Sequence, residues 1–226
     1  MTPTKNLLYA GVVGPLLFIV VFFIEGFTRP GYSQTRNFVS QLATGETGWV
    51  QVLNFYVCGV LVLLFAIGLR KELKGTRGAV GAPILLGLFA LSLLVAGTFS
   101  TDAALGYPPG VSAVQTSTGA IHGVAGLLAF TLLPAAAFVM AWHFARQGDG
   151  RWTAYSIVVG LVVLVFFFAA GFSSQADVSG SWHNAPTGIF QRVAIIAGFT
   201  WISILAWQFA SRPDRLQFGT PPRAAA

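Results

Sequence analysis

Charge is scarce in this chain. Asp, Glu, Lys and Arg make up 9% of its 226 residues, with 13 basic against 7 acidic side chains. Soluble domains carry roughly 25%, so a water-soluble globular fold is excluded. Cysteine is nearly absent as well. Cys58 stands alone inside an apolar run, which rules out an intramolecular disulfide and every cysteine-based metal motif. A lone buried thiol packs as a small apolar residue. Histidine occurs three times, with no HxxxH or HExxH spacing. The N-terminus lacks a signal-peptide pattern: its first apolar run, about twenty residues, is too long for an h-region, and no small-residue cleavage site follows.

Apolar residues fill the gap, at 55% of the chain. Spanning the hydrocarbon takes ~20 mainly apolar residues. Six runs qualify: 7–27, 49–69, 79–99, 120–144, 153–173 and 188–210. All are predicted to be helices, because lipid offers no partner to an unpaired backbone group. The fold class is therefore all-α, a single six-helix transmembrane domain over residues 1–210. A polar tail, 211–226, is expected to be flexible and cytoplasmic.

The net charge of +6 does not point to nucleic acid, because the basic residues sit in short loops. Lys5, Arg70, Lys71, Lys74, Arg77, Arg146, Arg151, Arg212, Arg215 and Arg223 fall on one side of the predicted spans. Only Arg29, Arg36 and Arg192 fall on the other. By the positive-inside bias both termini are cytoplasmic. Trp49 and Trp182 then belong to the outer interface, and Trp142, Trp152 and Trp207 to the inner one. Pro83 and Pro134 are expected to interrupt the third and fourth helices. In the long first outer loop, Phe38, Val39 and Leu42 share a helical face, which predicts a short helix lying at the interface.

The starts of the even-numbered helices resemble one another: Thr47-Gly48-Trp49-Val50-Gln51, Thr118-Gly119-Ala120-Ile121-His122 and Thr187-Gly188-Ile189-Phe190-Gln191. The odd-numbered helices end alike, at Gly26-Phe27-Thr28, Thr98-Phe99-Ser100 and Gly171-Phe172-Ser173. Both alignments give a period near 70 residues and suggest three parallel helical hairpins. Thr44-Gly45 repeats the dipeptide out of register, so chance competes with this reading.

Polar residues without a topological role gather at the outer ends. Burying them at membrane depth costs several kcal/mol, so they should face the bundle interior or water. A polar pocket open to the outside is the expectation. Its candidate ligand-binding residues are Glu25, Arg29, Gln51, Asn54, Gln191 and Arg192. Glu25 and Arg29, four apart, should pair. Three helix N-termini with Arg29 and Arg192 would favour a phosphate or carboxylate headgroup. Asp102 orienting His122 would make a general acid–base pair. Asp102, His122 and His183 could supply three zinc ligands, although their spacing is not diagnostic. Each of these residues also has a structural alternative, in capping, loop solvation or snorkelling.

The segments Gly14-Pro15 through Glu25-Gly26, Arg29-Pro30-Gly31-Tyr32, Val39-Ser40-Gln41-Leu42, Gly45, and Gly48-Trp49-Val50-Gln51 with Asn54 resemble an uncharacterised six-helix membrane family of bacteria and archaea. It is catalogued as domain of unknown function nine-nine-eight. Thr101-Asp102 and Gly119-Ala120-Ile121-His122 are similar to its later segments. The resemblance implies a six-helix bundle in a prokaryotic inner membrane and no activity, cofactor or catalytic residue.

The leading expectation is thus a multi-pass protein that binds a membrane lipid headgroup or a small amphiphile, with no nucleic-acid partner and no required cofactor. The competing readings are an intramembrane hydrolase using Asp102 and His122, with zinc optional, and a scaffold or homo-oligomer joined through glycine-rich faces such as Gly119-xxx-Gly123.

Overall fold

The computed structural model describes residues 3–76 and 80–212. The polar tail from 213 onward lies outside them, as do Arg77, Arg215 and Arg223 of the charge count. Six helices form: α1 (Pro3–Thr28), α2 (Trp49–Glu72), α3 (Gly81–Thr98), α4 (Ser117–Ala145), α5 (Gly150–Val178) and α6 (Thr187–Ala210). Each is long and apolar enough to cross a membrane, and the chain is an integral, multi-pass membrane protein. At 1.5 Å per residue, the 18 residues of α3 cover about 27 Å. That nearly equals the hydrocarbon thickness of about 30 Å.

Each helix packs on its neighbours in sequence, and α6 packs on α1, so the six close into a ring. We call its two ends the loop end, which carries residues 29–48, 99–116 and 179–186, and the terminal end. Two glycines let α1 and α2 approach closely. A Cβ at Gly11 would lie within 2.4 Å of the Phe65 ring, and one at Gly14 within 2.8 Å of Leu61. Lipid tails are as apolar as the core, so close van der Waals packing of this kind holds membrane helices together.

Aromatic rings fill the middle of the ring of helices. Phe18 packs on Phe55 and Phe199, at centroid distances of 5.3 and 5.0 Å, and Phe89 packs edge-on to Phe199 at 5.6 Å. Towards the terminal end, buried Trp201 of α6 donates its indole N–H to Ser156 of α5 at 3.1 Å. The outward faces carry Val13, Val20, Phe27, Val165, Phe168 and Phe172, all exposed and apolar, as a lipid-facing surface must be.

Three local expectations change. The first-loop helix does form, as a 3₁₀ turn at Val39–Ala43, but it does not lie on the surface. Val39 and Leu42 are fully buried against the ring, and the turn touches α1, α2 and α6. Pro83 does not interrupt α3: it is the third residue of that helix, within the first turn, where no backbone N–H is needed. Helix α5 runs past its apolar stretch to Val178 because its last polar residues find partners. Ser173 bonds Thr187, and Asp177 bonds Arg36.

At the starts of α2, α4 and α6, a glycine follows threonine at a crowded point. A Cβ on Gly48 would meet the Ala43 carbonyl at 2.4 Å, one on Gly119 the Asp102 carboxylate, and one on Gly188 the Asn37 carbonyl at 2.4 Å. The group covering each glycine differs: a 3₁₀ carbonyl, a side chain and a loop carbonyl. The crowding therefore does not establish a threefold repeat.

Candidate functional site

The first loop is drawn into the loop end by polar side chains that bond to backbone. Arg29, at the end of α1, donates to the carbonyls of Leu42, Thr44 and Thr47 and to the Glu25 carboxylate. Glu25 and Arg29 are thus paired, and the cation sits at the C-terminal end of the 3₁₀ turn, where the helix dipole favours it. Gln41 donates to the Ala104 and Tyr107 carbonyls, and Asn37 to Leu105, so the first loop is stitched to the second. Arg36 and Asp177 form a bidentate ion pair at 2.8 and 2.7 Å, which ties the same loop to the end of α5.

Among the described residues, buried Arg192 has no acidic partner. It donates to the Asn37 and Gly188 carbonyls at 3.0 Å and to the Tyr32 hydroxyl at 2.6 Å, and it lies over the rings of Phe22 and Tyr32. Burial pushes the Tyr32 phenol up to about 12, against the opposing pull of Arg192. Asn54 donates to the Phe18 carbonyl and to Gln51, both at 3.1 Å. Three buried atoms in this layer keep no hydrogen bond: Glu25 Oε2, Gln51 Nε2 and Arg192 Nε.

Asp102 and His122 do not bond to each other. Asp102 accepts from the Thr116 backbone N–H at 3.0 Å and from its hydroxyl at 2.6 Å. Thr116 in turn caps α4 by accepting from the Gly119 N–H. Those two bonds hold the Asp102 carboxyl below the usual carboxylate range. Buried His122 faces the other way, with Nδ1 at 3.0 Å from the Ala96 carbonyl and 2.8 Å from that of Phe99. Two carbonyl acceptors around Nδ1 make it the N–H donor, and in the neutral imidazole Nε2 is then the acceptor. His122 therefore satisfies the last carbonyls of α3, which a helix end otherwise leaves orphaned.

The expected anion cradle is filled from within. The α4 N-terminus holds the Asp102 carboxylate. The Ile189 N–H at the start of α6 donates to the Thr35 carbonyl, and Gly48 sits against the Ala43 carbonyl. His183 is exposed in the 179–186 loop. Among the described residues, no group of three His, Cys, Asp or Glu side chains is placed to hold a metal ion, so Asp102, His122 and His183 are not brought together. Nor do Gly119 and Gly123 form a lipid-facing small-residue face, since Gly119 is covered by Asp102.

A cavity of ≈ 220 Å³ lies elsewhere, between the 3₁₀ turn and the aromatic layer. Its floor is Phe18, Phe55, Phe89 and Phe199, and Leu93, Ala129, Leu133 and Ile195 line its walls. Ser40, Thr101, His122 and Gln191 bring polar atoms to its upper part. Gln191 is anchored there because its Oε1 accepts from the Val39 N–H at 2.7 Å.

On one side the cavity is lined by Gly123, Gly126, Leu127 and Phe130 of α4 and Phe167 of α5. Nearer the terminal end these helices touch: a Cβ on Gly160 would lie 2.5 Å from Phe138, and Phe130 stacks on Phe167 at 4.8 Å. Beyond that stack, Gly123 and Leu127, on the α5 side of α4, line the cavity and are exposed. A Cβ on Gly123, Gly126 or Gly171 would meet open space.

Of the candidate ligand residues, only Gln191 lines this cavity, together with His122. Glu25, Arg29, Gln51, Asn54 and Arg192 belong to the bonded layer between the first loop, α1, α2 and α6. Sequence reasoning missed Thr101 and the cavity lining at Gly123 and Gly126. Three uncovered glycines in facing halves of α4 and α5 were the available signal.

The family model described as "Protein of unknown function (DUF998)" matches residues 12–208. No curated protein and no solved structure matches the chain.

Proposed function

The chain belongs to the DUF998 family, and we propose that it binds a membrane amphiphile in the cavity beneath its first loop. The amphiphile's apolar part lies on the aromatic floor, and its polar head meets Ser40, Thr101, His122 and Gln191. It arrives from the bilayer through the gap between α4 and α5. One observation carries this reading: a mostly apolar cavity with few hydrogen-bonding groups, whose α4 lining includes the exposed Gly123 and Leu127. Such a space beside acyl chains fills with them more readily than with water, which would find few partners on apolar walls.

The arginine and lysine asymmetry supports a loop end facing outward, cytoplasmic termini and residence in a prokaryotic inner membrane. The gap then lies in the outer leaflet. An impermeant maleimide should label a Gly180→Cys variant in intact cells; labelling only after lysis reverses the orientation.

A lipid carrying a photoreactive diazirine near the middle of its chain tests the binding reading. In nanodiscs it should cross-link to peptides covering 123–130 and Phe167. Gly126→Leu should fill the gap without disturbing the fold, since nothing lies within 4 Å of a Cβ there, and should cut that cross-linking severalfold. Equal labelling of wild type and variant, spread over the outer faces of all six helices, contradicts the proposal.

The hydrolase reading draws less support, because Asp102 and His122 each serve a helix terminus instead of each other.

A further inference from the structure

The polar groups at the cavity have a common character: none carries a formal negative or fixed positive charge. The hydroxyls of Ser40 and Thr101, the Gln191 amide NH₂ and His122 Nε2 make no hydrogen bond within the described residues, and all four side chains line the cavity. The second nitrogen of His122 is committed to α3, and the Gln191 carbonyl oxygen to Val39. What is left over is a lone pair on His122, an NH₂ donor on Gln191, and two hydroxyls that both donate and accept.

The charged side chains of the loop end are spent elsewhere. Arg29 holds Glu25 and three carbonyls, Arg36 holds Asp177, and Arg192 holds two carbonyls and the Tyr32 hydroxyl. None of the three arginines lines the cavity. The formal charge next to its rim is Asp102, adjacent to Thr101 in the chain and bound to Thr116. An anionic head placed here would leave water without gaining a cation and would face both a carboxylate and the His122 lone pair. An ammonium head would make no direct ion pair, because neither Asp102 nor Glu25 lines the cavity and Glu25 is paired with Arg29. Burying a charge without a partner is far more costly than burying a hydroxyl that is hydrogen-bonded.

We propose that the occupant is an uncharged amphiphile with a hydroxyl head, such as a long-chain alcohol or an acylglycerol, and not a phosphate-, carboxylate- or ammonium-headed lipid. Its O–H donates to His122 Nε2, and its oxygen, with two lone pairs, accepts from at most two of the Gln191 NH₂ and the Ser40 and Thr101 hydroxyls. This inference rests on the amphiphile-binding reading above and narrows it to one class of headgroup.

The test uses the full chain in phosphatidylcholine nanodiscs and diazirine probes that share one sixteen-carbon chain. Their heads are a hydroxyl, a glycerol ester, a carboxylate, a phosphate and an ammonium. The hydroxyl and glycerol probes should label the 123–130 peptide about tenfold more than the charged ones, as two net hydrogen bonds allow. The double variant Ser40→Ala/Thr101→Val, at hydroxyls that no fold contact uses, should bring the hydroxyl probe down to the level of the carboxylate and leave the carboxylate probe unchanged. Charged probes that label as well as the hydroxyl probe, or a double variant without effect, overturn the headgroup assignment while the cavity reading stands. If no probe exceeds its labelling of Gly126→Leu, the cavity reading itself fails, and this inference with it.

Discussion

Single residues at the loop end are chosen for helix termini as much as for any ligand. Gly119 is the clearest case: a Cβ there would collide with the Asp102 carboxylate, which holds Thr116 and so caps α4. Gly119→Ala should therefore cost about 1–3 kcal/mol, the usual range for overpacking. Gly123→Ala, inside α4 with open space around its Cβ, should be neutral or stabilising by up to about 1 kcal/mol. Thermal unfolding of both variants in the same detergent separates them. Asp102 also makes the cap pH-dependent. Its carboxyl is depressed in the folded chain by the Thr116 hydroxyl and amide, so its contribution is complete above the unfolded value of about 3.9 and is lost as pH falls through the lower folded value. Thr116→Ala should cost about 1 kcal/mol and return the Asp102 titration, followed by carboxyl NMR, towards the ordinary range. At this scale the sequence was partly legible. The Glu25–Arg29 pair follows from its spacing of four. The roles of Asp102 and His122 do not, because the backbone groups they satisfy become visible only when α3 and α4 are seen side by side.

Among the elements, the first loop is the one whose setting differs most from expectation. Its helical turn was readable from Phe38, Val39 and Leu42, but an apolar face fits a membrane surface and a bundle interior equally well. The fan of Arg29 bonds and the Gln41 bonds to the second loop decide for the interior. The end of α5 depends on the same loop through Arg36 and Asp177, which are 141 residues apart, a pairing no local pattern announces. Arg36→Ala leaves the buried Asp177 carboxylate with only backbone donors such as the Ala185 N–H. The Arg36 side chain is about one-third exposed (32%), so screening reduces the loss, and about 1–3 kcal/mol is expected. Hydrogen exchange should speed up over residues 175–186 and 33–38 and stay unchanged in α2 and α3. Uniform acceleration across the chain would mean that the pair supports the whole bundle and not the α5 end.

For the whole molecule, six spans were legible because hydrocarbon thickness and apolar run length are tied together. Helix order around the ring was not, and neither was the cavity lined by α4 and Phe167 of α5, because both depend on how side chains fill a closed circle. Amphiphile binding requires that the cavity communicate with lipid between α4 and α5. A nitroxide on Gly126→Cys, in a Cys58→Ala background, measures it by power-saturation EPR in nanodiscs. Molecular oxygen, which concentrates in the bilayer, should relax the label strongly, and a water-soluble nickel chelate should not. A label that neither reagent reaches would mean a sealed bundle, and one that the nickel chelate reaches best would mean an aqueous vestibule; either result contradicts a lipid-accessible site.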